Sequence, residues 1–145
     1  MSDEARKPGR PRLHAGLTVF LSVSMVAVGV YHFIDPAIFM RIVPDWLPAP
    51  RALVLVSGAF EILGGVGVLH PKTRRLASLG LIALYLAVFP ANIHMAVHGI
   101  QLDPANPIPE WAMWARLPYQ AVFIAWAWWV GHYDSRRPTP TKKTS

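Results

Sequence analysis

The run LHAGLTVFLSVSMVAVGVYHFI, residues 13–34, contains no Asp, Glu, Lys or Arg. As a helix rising ~1.5 Å per residue it would cover roughly 33 Å, enough to cross the ~30 Å hydrocarbon layer of a bilayer. Backbone groups find no water in that layer, so a stretch of this kind must satisfy its own hydrogen bonds as a helix. Three further apolar stretches follow. Residues 52–70 carry one charge, Glu61, and residues 76–98 carry none, although Pro90 and Asn92 interrupt them. The last, about 111–132, holds Arg116 near its start. The expected architecture is all-α: one membrane domain over 13–133, a four-transmembrane-helix bundle with helices at about 13–34, 51–70, 75–98 and 110–132.

Bulk composition agrees. Of 145 residues 53% are hydrophobic and 15% charged, too apolar for a short soluble domain, whose small core cannot hide so much surface. The net charge is nevertheless +6, so the charges must be segregated. They are. Arg6, Lys7, Arg10 and Arg12 precede the first stretch, Lys72, Arg74 and Arg75 join the second to the third, and Arg136, Arg137, Lys142 and Lys143 follow the fourth. Eleven of the 14 Lys and Arg thus fall on one side. Positive loops mark the cytoplasmic face, so both termini are expected there, with basic disordered tails at 1–12 and 134–145. Cations placed at membrane flanks anchor to anionic lipid and do not form a nucleic-acid surface. The basic leader could introduce a cleaved signal. The apolar run is longer than the ~7–15 residues of such a signal and no Ala-x-Ala site follows, so the helix is expected to be retained. Trp46, Trp111 and Trp114 on one side, with Trp128, Trp129 and Tyr133 on the other, read as interfacial belts. After the first stretch, Asp35 as N-cap and Pro36 at the first helical position announce a short interfacial helix stopped by Pro44.

Ionisable groups within a membrane are expensive and become the candidate site. Glu61 lies about 15 Å deep, ten residues beyond Arg51. Ser57, Gly58, Gly64 and Gly65 share its face and allow a neighbouring helix to approach closely. Arg116, about 10 Å deep, is its expected partner, with Gln120 one turn on. His32, His94 and His98 lie towards the outer ends of their helices, but no carboxylate or thiolate accompanies them at ligand spacing, and no metal is expected. There is no cysteine, which excludes disulfide and dithiol chemistry. Ala83, Ala87 and Ala91 form a small-residue stripe expected to contact another helix. Asn92 lies opposite the His94 and His98 stripe, and the sequence leaves open which face looks inward.

Several motifs resemble the DoxX family of small bacterial membrane proteins. They are Gly29-Val-Tyr-His32-Phe33 with Pro36 and Phe39, Val43-Pro44-Asp-Trp-Leu47-Pro48, and Ser57-Gly58-Ala-Phe-Glu61-Ile-Leu-Gly64-Gly65. Pro71-Lys-Thr-Arg74-Arg75, Pro90-Ala-Asn92-Ile-His-Met and Arg116-Leu-Pro118-Tyr-Gln120 complete the set, over about residues 14–132. The resemblance implies a four-helix bundle in a bacterial inner membrane and an association with quinone or thiol-linked redox systems. The dithiol chemistry of distant relatives cannot operate without cysteine.

The leading expectation is therefore a non-catalytic membrane subunit in a redox or stress-related system, its partners being the bilayer and a membrane or redox protein. The alternative is a binding protein or enzyme with a pocket formed by Glu61, Arg116, Gln120, Asn92 and His32, taking an apolar or quinone-like ligand. A transporter, with a second copy supplying further helices, comes third. The charge bias has a direct check: reporter fusions at Ser145 and within the 104–109 connector should report opposite compartments. A C-terminus outside the cytoplasm would mean that a crossing has been miscounted.

Overall fold

The computed structural model describes residues 11–133 and is all-α, with no strand among them. Five helices follow in order: α1 Pro11–Ile34, α2 Pro36–Met40, α3 Pro50–Gly67, α4 Arg74–His98 and α5 Glu110–His132. The tails expected to be disordered lie outside the described residues, except that Pro11 and Arg12 already open α1. Three helices, Arg12–Ile34, Pro50–Gly67 and Arg74–His98, are long and apolar enough to cross a membrane, and only 33%, 22% and 17% of their apolar windows are buried. Ile34, Leu63 and Leu76 are each more than two-thirds exposed, at 71%, 67% and 75%. An outer surface of that kind calls for an apolar solvent. The α5 helix has comparable length, 23 residues, but does not reach their apolarity.

Proline marks the helix starts. Pro36 ends α1, because it has no N–H to continue the ladder, and it opens α2. Asp35 stands at the expected cap position but makes no side-chain capping bond. Its backbone N–H continues α1 instead, donating to the Tyr31 carbonyl at 3.0 Å. Pro50 opens α3 after Ala49, which adopts left-handed backbone angles (φ 50°, ψ 58°) between two prolines. That conformation costs a non-glycine residue about 1–2 kcal/mol and turns the chain sharply into α3. The α3 helix stops at Gly67, three residues short of the expected end. Its last carbonyls are taken by the turn: Thr73 Oγ1 donates to Gly67 O at 2.8 Å and Arg74 Nε to Val68 O at 2.9 Å.

The long helices pack antiparallel in two pairs, α1 with α3 and α4 with α5. The α3–α4 contact joins the pairs, while α1 and α5 meet only slightly. Small residues on α3 serve two neighbours, where the sequence led us to expect one. A methyl group on Gly58 would sit 2.7 Å from His32 Cβ and 2.8 Å from Gly29 O, and one on Gly65 would sit 2.9 Å from Ser22 O. Towards α4, Gly64 receives Leu81 and Gly67 receives Ala77.

Two apolar cores result. The one near the 68–73 turn contains Leu21, Met25, Val68, Leu81, Tyr85, Ala127 and Val130. Its outer edge is closed by His14, whose ring stacks on Tyr133 at 3.9 Å and whose Nε2 lies 3.3 Å from Val130 O. The second core, at the α2 end, contains Ile42, Met95, Ala96 and Met113. Between the two cores the helix pairs part.

The glycine seam is open to test. Gly58→Val should lower stability in detergent by about 1–3 kcal/mol, the usual cost of overpacking. Gly16→Val should change it little, since nothing lies within 4 Å of a methyl group there. Thermal unfolding of the two variants side by side gives the comparison.

Candidate functional site

The parting of the helix pairs leaves a cleft of ≈ 880 Å³ with walls from all five helices. Glu61, Arg116, Gln120, Asn92 and His32 all line it. Its surface is mostly apolar, from residues such as Val54, Phe60, Val88 and Phe123. Its volume falls in the ~300–1,000 Å³ range of small-molecule sites.

Glu61 owes its position to the glycine seam. Gly29 and Gly58 bring the backbones of α1 and α3 together. His32 and Glu61 each lie three residues beyond their helix's crossing glycine, on the same face. Their side chains meet with Nδ1 and Oε2 3.1 Å apart. The same Nδ1 is 3.0 Å from the Val28 carbonyl. One N–H cannot point at both, and Glu61 Oε2 is left buried without a hydrogen-bond donor. Phe39 of α2 stacks on the His32 ring at 3.8 Å and fixes it from above.

Arg116 is not the partner of Glu61. Among the described residues no carboxylate lies within ion-pair distance of its guanidinium, which opens onto the cleft and meets only Met95 Sδ, at 3.8 Å. The reason is helix register. Leu81 faces Gly64, so Glu61, one turn earlier on α3, sits level with Tyr85, one turn further along α4. Arg116 sits level with Met95, ten residues further along α4, which is about 15 Å of helix rise. The cleft therefore carries an acid and a base at opposite ends of an apolar wall.

Asn92 faces inward, which settles the orientation of α4. Its Nδ2 donates to Gln120 Oε1 at 2.8 Å, and Gln120 Nε2 donates to the Tyr85 carbonyl. His94 points instead to the connector, with Nδ1 3.3 Å from Ile42 O, and His98 is exposed. Among the described residues no three His, Cys, Asp or Glu side chains gather as metal ligands do. Ala83, Ala87 and Ala91 line the cleft, and Ala91 also packs against the core that contains Met113 of α5. The small residues that do bring α4 close to a neighbour are Ser78 and Ala77, against Gly131 and Gly67.

The sequence model of a family described as a domain of unknown function (DUF8561) matches residues 21–131. The chain belongs to that family. The match runs from the middle of α1 to the last turn of α5 and takes in every residue of the cleft. It also corrects the resemblance to DoxX proteins: the family that matches is DUF8561, and the redox association that rested on the resemblance falls with it. Neither a curated protein nor a solved structure matches the chain.

The separation of Glu61 and Arg116 has a measurable signature. In detergent, the destabilisation from Glu61→Ala and Arg116→Ala should add within about 0.3–0.5 kcal/mol. Asn92→Ala and Gln120→Ala, which remove two partners in one bond, should couple by about 0.5–1.5 kcal/mol. A strong coupling between Glu61 and Arg116 would contradict the register given above.

Proposed function

We propose that this protein is a four-crossing membrane protein, with both tails in the cytoplasm, whose cleft binds a small apolar or amphiphilic molecule. In this reading it is a non-catalytic binding subunit of the cytoplasmic membrane. The observation that carries it is the cleft itself: ≈ 880 Å³ of mostly apolar space lined by Glu61, whose carboxylate meets His32, and by Arg116, whose guanidinium has no carboxylate within ion-pair distance among the described residues. Two such groups are costly to hold in an apolar medium, and a chain selected only for packing has no use for the expense.

The fourth crossing is supported by α5, which is 23 residues long and packs along α4. Exposed Trp111 and Trp114 near its start and Trp128 near its end are placed for the two interfaces. The distribution of Lys and Arg supports the orientation.

Ala87 is exposed towards the cleft, so Ala87→Trp should fill the space without disturbing a core. Organic extracts of the purified wild-type protein should contain a small molecule in near-stoichiometric amount, by mass spectrometry. The Ala87→Trp extract should have lost it while the variant keeps its thermal stability. The same molecule at the same level in both extracts would place it outside the cleft and remove the basis for this reading.

A further inference from the structure

The two charged groups of the cleft differ in what they lack. Arg116 lines the cleft, and among the described residues the hydrogen-bonding partner of its guanidinium is a thioether, Met95 Sδ at 3.8 Å, which leaves donors for an anion. Glu61 can only accept, and among the described residues the group facing its Oε2, His32 Nδ1 at 3.1 Å, is shared with the Val28 carbonyl. Their levels lie about 15 Å of helix rise apart, counted along α4 from Tyr85, one turn beyond the Gly64–Leu81 contact, to Met95 beside Arg116. The wall between is mostly apolar, with Ala87 and Val88 on α4 and Val54 on α3, and also carries the amides of Asn92 and Gln120. A compact zwitterion cannot reach both ends. An anion placed at the Glu61 end would be repelled by the carboxylate there, so the polarity of the cleft fixes the direction of its occupant. Asn92 and Gln120 are already bonded to each other and leave the end groups to set the selectivity.

We propose that the cleft selects a single-chain anionic amphiphile, its acidic head on Arg116 and a hydroxyl at the far end of its chain donating to the Glu61 carboxylate. This rests on the ligand-binding reading above and names the class of ligand. The volume, ≈ 880 Å³, admits an acyl chain with its head and lies within the ~300–1,000 Å³ of ordinary ligand sites. Entry from the bilayer is open on the α4 side, where Ala83 and Ala87 are exposed.

The experiment uses the full chain in phosphatidylcholine nanodiscs and measures affinity for three probes whose extended lengths match the cleft. They are ω-hydroxydodecanoate, dodecanoate and the neutral dodecanediol. The hydroxy acid should bind tightest. Arg116→Gln should cost the two acids about tenfold or more and leave the diol unchanged, while Arg116→Lys should restore part of the loss. Glu61→Gln should remove the advantage of the hydroxy acid over dodecanoate. The proposal is overturned if the diol binds the wild type as tightly as the acids, or if Arg116→Gln weakens all three probes equally. It is also overturned if phosphatidylglycerol in the nanodisc displaces the hydroxy acid, since Arg116 would then be serving the bulk lipid. Failure of all three probes, the diol included, in protein that carries no extractable molecule would sink the ligand-binding reading as well. A neutral molecule found in the cleft would sink only the choice of class.

Discussion

Everything in this fold depends on how closely α1 and α3 approach at Gly29, Gly58 and Gly65. Between helices in lipid there is little hydrophobic gain, because the surrounding chains are as apolar as the side chains, and association rests on close van der Waals contact. Glycine permits that contact, and the contact has a chemical consequence. It brings His32 to within 3.1 Å of Glu61 and holds the carboxylate at the floor of the cleft. The same helix uses Gly64 and Gly67 to seat α4. One helix of 18 residues therefore sets the position of both of its long neighbours.

The helices were legible because the bilayer leaves the chain few options. The 13–34 run could only be a helix, and the proline starts at Pro36 and Pro50 were readable from residue type alone. The ends were less so. The α3 helix stops at Gly67 because Thr73 and Arg74 reach back to its carbonyls, a tertiary event that no periodicity announces.

The candidate residues were legible as a set, because charge and amide groups inside an apolar stretch are rare enough to stand out. Their pairing was not. Counting depth from each helix start assumes that all helices begin in one plane, and on that assumption Glu61 and Arg116 lie within reach. Register between helices is fixed instead by contacts such as Gly64–Leu81 and Arg116–Met95, which sequence position does not encode. One signal was available: His32 and Glu61 each follow a seam glycine by three residues. The inward face of α4 had no comparable signal, since Asn92 and His94 are both polar and only the Gln120 bond distinguishes them.

The division of the apolar interior into two cores bears on how the molecule opens. The Ile42–Met95–Met113 core shares α4 and α5 with the first core, and the cleft lies between the two. The core around Leu21, Leu81 and Val130 is continuous by itself. Such an arrangement favours sub-global opening of the α2 end before the whole bundle, as two cooperative units of unequal stability. A molecule seated between the cores joins them, and it stabilises the weaker unit by an amount that grows with the logarithm of its concentration. Amide hydrogen exchange would then slow around Met95 and Met113 and stay unchanged around Leu21, so occupancy of the cleft is recorded in the backbone some distance from the ligand.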